Sequence, residues 1–436
     1  MLRNWFRQYN SAMAETLLLS AIAIAFIESA KRDGFNGVVA SALLTLQADP
    51  EKLRAELSSL VQDSHITAVF ARVSANMHIK RLPDLAIETQ LKFLADEPLQ
   101  EFCLYPAASA VEARVDLSAW QDRPFSKALL LAEPQLSFRA FDMGALERYV
   151  ADPRYVVHFV DYMGRMSVTD NYFTNAQHPE RDKVSLQTFG LGFDDQHNPY
   201  VIVYLRYLAK LSAEHQQYWN SYLAGGDVRV SAPYFHSSIK GEFWTNRSVR
   251  YAIIEEMRLI RSLTEAIWGH SLFHPPPEGD VPIGLTSFLR PTTENFNRFV
   301  MALDKLLSEN IDVKFFDGKI SREIETLRAD GKIIVKPKGT LTLLEEWLLR
   351  EITWSDLDAF REVVIKPLRN VRRLRQTPAH AFTKDTFSGE YYDTRKQLLC
   401  DVFNSLSNIR ATLAKHSRAR HIQVPDWLNK DRIDVF

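Results

Sequence analysis

Cysteine is nearly absent from this chain: Cys103 and Cys400 are the only two among 436 residues, far apart and flanked by apolar neighbours. That count excludes a disulfide-stapled scaffold and a multi-cysteine zinc site, and it fits two buried free thiols in a reducing compartment. Glycine is scarce too, at 16 residues, and its placement excludes the common nucleotide-binding loops. Gly190-Leu-Gly192 lacks the third glycine and following helix of a dinucleotide fingerprint, and no glycine-rich loop ends in Lys-Ser/Thr. There is no G-x-S-x-G elbow for a serine hydrolase. Long apolar runs are missing as well. The stretch from Thr16 to Ile27 falls short of the about 20 residues a membrane span needs, and Glu15 and Glu28 bracket it. Lys31-Arg32-Asp33-Gly34 follows where a signal peptide would carry small residues, so a buried core helix is the expectation. Charge of one sign is absent overall. The formal net charge is −1, and any case for nucleic acid must rest on local clustering.

What remains is ordinary globular material, 46% hydrophobic and 25% charged, without repeats or low-complexity tracts. Its length suits two to four domains. Residues 11–33 read as a helix apolar almost all round. Asp49-Pro50-Glu51 supplies an N-cap, a first-turn proline and an acidic first turn for a helix to about Gln62. From about 64 to 240 short apolar runs alternate with turn residues. Gln135–Phe141, Tyr155–Tyr162, Val184–Phe193 and Tyr200–Tyr207 are the strand candidates, with a helix around Gly144–Val150 and another after Ser212. Beyond about 246 helical periodicity dominates: Asn246–Trp268, a helix capped by Thr292 or Thr293, a short one from Ser321 to Leu327, then Leu341–Ile352, Asp356–Arg375 and Glu390–His416. Asp330-Gly331 and Lys338-Gly339 flank a small hairpin, and Pro367 should kink its helix. The expected architecture is α+β: an N-terminal helical segment (1–75), a largely antiparallel α+β domain (76–240) and a helical C-terminal domain (241–436).

The C-terminal domain holds the one constellation that suggests a chemistry. Arg361, Lys366, Arg369, Arg372, Arg373 and Arg375 crowd one helix against a single nearby acid, Glu362. Positions 369, 372 and 373 share a face, and such a cluster suits phosphates. It equally suits a solvated basic face paired with acids elsewhere in the fold. Arg375 is followed by Gln376 and, five residues on, by His380, with Thr377 and Pro378 marking a helix break between them. Histidine exchanges protons near neutral pH, and arginine holds a phosphoryl group bidentately. RNA brings its own 2′-hydroxyl nucleophile, so an acid, a base and a charge stabiliser suffice without metal.

A basic helix, then Arg-(polar)-x3-His, then a further long helix resembles the HEPN superfamily of helical bundles, over about 353–418. Many of its members are ribonucleases or toxins. The resemblance implies that Arg375 and His380 form an active site, that Gln376 takes the polar place most often held by Asn, and that two protomers bring their motifs together in a homodimer. Pro378 inside the motif is a departure from that pattern. A role in stress response or phage defence follows from the resemblance alone. The segments PFSKALLLAEPQLSFRAFD and YLAKLSAEHQQYWNSY are similar to uncharacterised bacterial proteins, which implies no activity.

Other residues have plainer readings. His270 and His274 stand four apart, but Pro275 and the lack of a third ligand favour a helix end over a metal. Tyr218, Trp219 and Tyr222 read as core, and Tyr391 and Tyr392 as packed aromatics opening a helix. Asp161, Asp194 and Asp195 read as turn residues. The leading expectation is therefore a cytoplasmic, metal-independent endoribonuclease, with His380 as general acid/base, Arg375 stabilising the phosphoryl group, Gln376 orienting one of them, and Lys366, Arg369, Arg372 and Arg373 on the RNA backbone. No cofactor and no membrane partner is implied. The alternative is a non-catalytic scaffold whose bundle binds nucleic acid or dimerises.

Overall fold

The computed structural model describes residues 17–32, 34–80, 84–160, 162–175, 177–242, 246–275, 283–286, 290–327, 333–376, 384–428 and 432–435. The fold is α+β, with several antiparallel sheets and a helical C-terminal region.

Helix α1 (Leu17–Ala30) is apolar all round because it serves two cores. Leu18, Leu19 and Ile22 pack into an N-terminal core, while Phe26, Ile27 and Ala30 pack into the core of the middle sheet. Helix α2 (Pro50–Gln62) starts where its sequence says, with the Asp49 carboxylate accepting from the amides of Glu51 and Lys52. Helix α3 (Ile87–Asp96) completes this layer. A three-stranded sheet lies against it, β1 (Val38–Val39), β2 (Ile66–Phe70) and β3 (Phe102–Pro106), in the order β1-β3-β2. Pairing of β2 with β3 joins residues 66–70 to 102–106, on either side of residue 75, and strands accompany the helices of this layer. Short apolar strands two to five residues long have too few alternations to declare themselves before they find partners.

The middle sheet has the order β4-β8-β7-β6-β5, with β4 (Phe138–Asp142), β5 (Tyr155–Val160), β6 (Met163–Val168), β7 (Ser185–Phe193) and β8 (Pro199–Tyr204); β9 (Arg229–Val230) adds to the end of β7. Strand period sorts the side chains. Val201 and Val203 face a core shared with α4 (Pro124–Leu130) and α5 (Ala213–Asn220), while Ile202 and Tyr204 face the smaller cluster around Tyr234. The Tyr234 ring lies so close to β7 that a Cβ on Gly190 would sit 2.1 Å from it. Gly190 is thus a close-packing position. Ser212 caps α5 as expected.

The terminal domain is built on α6 (Val249–Trp268), which packs along α10 (Glu390–Leu413), with α7 (Thr293–Leu307), α8 (Thr340–Glu351) and α9 (Lys366–Gln376) around them. Thr292 caps α7. Pro367 has its expected effect. The turn before it, Arg361–Ile365, widens to a π-turn, since proline supplies no amide and crowds the carbonyl four residues back. Ser405 of α10 donates to the Val364 carbonyl at 2.6 Å. One expected helix is absent. Residues after Ser321 form β11 (Glu323–Leu327), which pairs antiparallel with β12 (Ile333–Pro337). The alternating Glu-Ile-Glu-Thr-Leu pattern prefers a strand once a partner is available. The chain returns at its end to pair β13 (Ile433–Asp434) in parallel with β10 (Arg247–Ser248). Among the described residues no helix is long and apolar enough to cross a membrane.

Candidate nucleic-acid interface

Helix α9 turns its cations in two directions. Leu368 and Val371 are buried and anchor it to the bundle. At helical spacing this leaves Lys366, Arg369 and Arg373 on one outer face and Arg372 and Arg375 towards α7.

The α7-facing pair is already occupied. Asp304, 1% exposed, receives Arg372 at 2.8 Å and also Arg375. Arg372 donates further to the Ser308 hydroxyl at 3.1 Å, and Arg375 makes a second pair with Glu309. These two acids raise the Arg375 pKa, Asp304 first and Glu309 second, so the guanidinium is held more firmly in its charged form. Arg375 is therefore neutralised from within the fold, the outcome the plainer reading of the basic helix anticipated. Gln376 ends α9 and is exposed. His380 lies outside the described residues, as do Thr377 and Pro378, so Arg375 and Gln376 alone of the expected catalytic set have a described position.

The outer face differs. Lys366, Arg369 and Arg373 are exposed and line a groove of about 640 Å³ between α9 and α10. Amides from both helices, Asn370 and Asn404, join them. Two acids, Glu362 and Asp401, also line the groove. Lys366 pairs with Glu362 at 2.5 Å, and Arg369 pairs with Glu345 of α8 at 2.6 Å. Glu345 also takes Arg361 at 3.3 Å. Arg373 donates to the Asn370 side chain at 2.8 Å. The exposed Lys366–Glu362 pair is worth under about 1 kcal/mol and exchanges readily for a phosphate, while Glu345 is half-buried and shared by two arginines. Three of the four cations expected on a nucleic-acid backbone thus share one open groove, and the fourth, Arg372, does not.

Asn370 and Asn404 carry no signal that sequence reasoning could isolate; only the approach of two helices makes them neighbours. The acids opposite Arg372 and Arg375 escaped notice for the same reason, because Asp304 reads as one more charge on an amphipathic helix.

The remaining candidates resolve into structure. Trp219 is fully buried and donates to the Tyr149 hydroxyl at 3.1 Å, which lies 2.6 Å from His215 Nδ1. Tyr391 stacks on Phe296, with centroids 4.8 Å apart. Asp194 accepts from the amides of Gln196 and Asn198 and so shapes its turn; Asp195 pairs with Arg229. Asp161 lies outside the described residues. Among the described residues no three His, Cys, Asp or Glu side chains converge as metal ligands would. Cys103 and Cys400 are free thiols, Cys103 buried and Cys400 partly so. Burial pushes the Cys103 thiol up to about 12, which leaves it unreactive. Comparison of the chain with family models, with curated proteins and with solved structures finds no match.

Proposed function

We propose that the terminal helical domain binds RNA along the groove between α9 and α10. The supporting observation is the placement of Lys366, Arg369 and Arg373 on one exposed face of α9, beside the amides of Asn370 and Asn404. Cations at successive helical turns suit successive phosphates, and the amides can hydrogen-bond sugars or bases. Three phosphate contacts on a single strand predict a slope of log affinity against log salt of about −2. Fluorescence anisotropy with a labelled oligouridine between low and physiological potassium chloride measures it. Arg369→Gln combined with Arg373→Gln should flatten the slope and weaken binding uniformly across sequences. Binding that keeps its strength and slope in that double variant rules the groove out.

Ribonuclease activity is the second reading, and it rests on the Arg375-to-His380 pattern that follows the basic helix. Arg375 and Gln376 occupy the last turn of α9, directly beyond Arg373, at the end of the groove-lining helix. In this reading His380 moves the proton of the 2′-hydroxyl, Arg375 stabilises the phosphoryl charge and Gln376 orients one of them. A second copy of the chain across a two-fold axis, a cytoplasmic location and a role in stress response or phage defence belong to the same reading, and rest on the resemblance to HEPN proteins. Cleavage in EDTA that leaves 2′,3′-cyclic phosphate ends and disappears in Arg375→Ala and His380→Ala is the expected result. Cleavage unchanged in both variants removes Arg375 and His380 as the active site, and no cleavage in wild type leaves RNA binding as the function.

A further inference from the structure

We propose that the β11–β12 ribbon is a dimer contact, in which the outer edge of β12 pairs antiparallel with the same edge of a second copy of the chain. An isolated pair of strands is marginal in water, and a stable sheet needs a further strand or a helix to pack on. Among the described residues β11 and β12 pair only with each other. Every residue of β11 is exposed, and in β12 only Ile334 is partly buried, so little packs beneath the ribbon. Ile324, Leu327, Ile333 and Val335 are each at least half exposed. The base of the ribbon is nevertheless fixed to the terminal domain. Lys338 pairs with Glu346 of α8 at 2.6 Å, and Arg322 pairs with Asp317 at 3.1 Å. A ribbon held in place with open edges is a template for an added strand.

The phase of the hydrogen-bond ladder selects the edge and the partner. The Lys338 amide donates to the Arg322 carbonyl at 2.8 Å, and Ile324 stands opposite Lys336 and Thr326 opposite Ile334. In an antiparallel ladder bonded pairs alternate with unbonded ones, so these two pairs carry the bonds between the strands. The amides and carbonyls of Ile333 and Val335, and the carbonyl of Pro337, therefore point away from β11 into the open edge. A two-fold axis at Val335 matches this edge with itself over its whole length. Val335 meets the partner's Val335, Ile333 meets the partner's Pro337, and Ile334 meets the partner's Lys336. The two Val335 residues exchange amide-to-carbonyl bonds, and each Ile333 amide donates to a Pro337 carbonyl. The amide that proline lacks falls at the ends of the pairing, where strands tolerate it. No like charges meet. The β11 edge fails the same test, since the equivalent axis at Glu325 sets two carboxylates opposite each other. Moving the β12 axis to Lys336 opposes two lysines. The edge that matches itself is the apolar one, which is what an isologous two-fold contact requires. The contact uses no residue of α9, so it is independent of the RNA groove and of the ribonuclease reading.

Sedimentation velocity of the full chain over a wide range of concentration should show a reversible monomer–dimer equilibrium. Val335→Pro and Ile333→Pro each delete an amide that β11 does not use, so the ribbon keeps its own ladder while the outer edge loses a donor. Each should weaken the dimer by tenfold or more. Glu325→Pro makes the same kind of change on the opposite edge and should leave dimerisation as in wild type. Melting curves taken where all the proteins are monomeric should be alike, which separates loss of the contact from loss of the fold. A chain that stays monomeric at every concentration, a dimer unchanged in both Val335→Pro and Ile333→Pro, or one that Glu325→Pro weakens equally overturns the proposal.

Discussion

The middle sheet domain and the terminal bundle both bury polar side chains, but they bury different kinds. In the sheet domain the fully buried polar networks are built from neutral side chains, while the buried Lys80 pairs with Asp84 at 3.1 Å. Gln216, fully buried, accepts from the amides of Phe125 and Ser126 and donates to the Leu211 carbonyl, so that α5 holds the start of α4. Tyr149, His215 and Trp219 form the second network. In the bundle buried charges join neutral hydroxyls such as those of Ser248, Thr264 and Ser405. Glu256, fully buried, meets Arg410 through two contacts at 2.7 and 3.1 Å, and Asp304 collects Arg372 and Arg375. A neutral network loses a hydrogen bond when one member is removed. A buried ion pair leaves a bare charge behind, which is far more costly although the intact pair adds little net stability.

The sharpest test of that contrast is Arg410→Met. It strands Glu256 and should cost about 3–5 kcal/mol in urea unfolding. Replacing both partners with methionine should recover most of the loss; a double variant as unstable as the single one would mean the pair holds the helices by more than charge. Asp304→Asn comes next, at about 2–3 kcal/mol, because two guanidinium groups lose their shared buried acid. Tyr149→Phe removes the hydroxyl between His215 and Trp219 and should cost about 1–3 kcal/mol. A loss as large as that of Arg410→Met would erase the distinction between the two domains.

The pH dependence separates the regions further. Burial lowers the His215 pKa from its ordinary 6.5, so the folded state binds fewer protons there than the unfolded chain. Stability from this group is present above about pH 6.5 and is lost as pH falls towards the lowered value, by at most about 1.4 kcal/mol per pH unit. Glu256 has the opposite sign. Burial raises its pKa above 4.5 despite Arg410, so its contribution is largest in acid and declines as pH rises through the raised value. Unfolding free energies of wild type and His215→Gln between pH 5 and 7 should show a steeper fall in wild type on acidification. The smallest effect belongs to Arg369→Gln, which should change stability by under about 1 kcal/mol because Arg369 is exposed and Glu345 keeps Arg361, while it weakens RNA binding.

Much of the helical framework was legible because helix starts are written locally. Asp49, Ser212 and Thr292 each cap the helix their sequence announces, and Pro367 distorts its own neighbourhood without help from elsewhere. Strands were harder. Met163–Val168 contains Gly164 and Arg165 and looks like loop until β5 and β7 flank it. Ser321 looked like a helix cap, but pairing with β12 decided for a strand. The basic helix was visible as composition, but the face expected from spacing, Arg369, Arg372 and Arg373, is not the one that opens outward: Arg372 turns to Asp304, and Lys366 joins Arg369 and Arg373 instead. The neutralisation of Arg375 by Asp304 and Glu309 was not visible, since those acids lie some seventy residues earlier on another helix.

The sequence by itself determined where helices begin, which faces of them are apolar, and that one helix carries an unusual density of arginine. These properties depend on spacing and on groups a few residues apart. Only the tertiary structure decided which of the arginines face a groove and which are held by the buried Asp304. Burial and charge pairing act through space, and the chain brings those residues together only after its cores have formed.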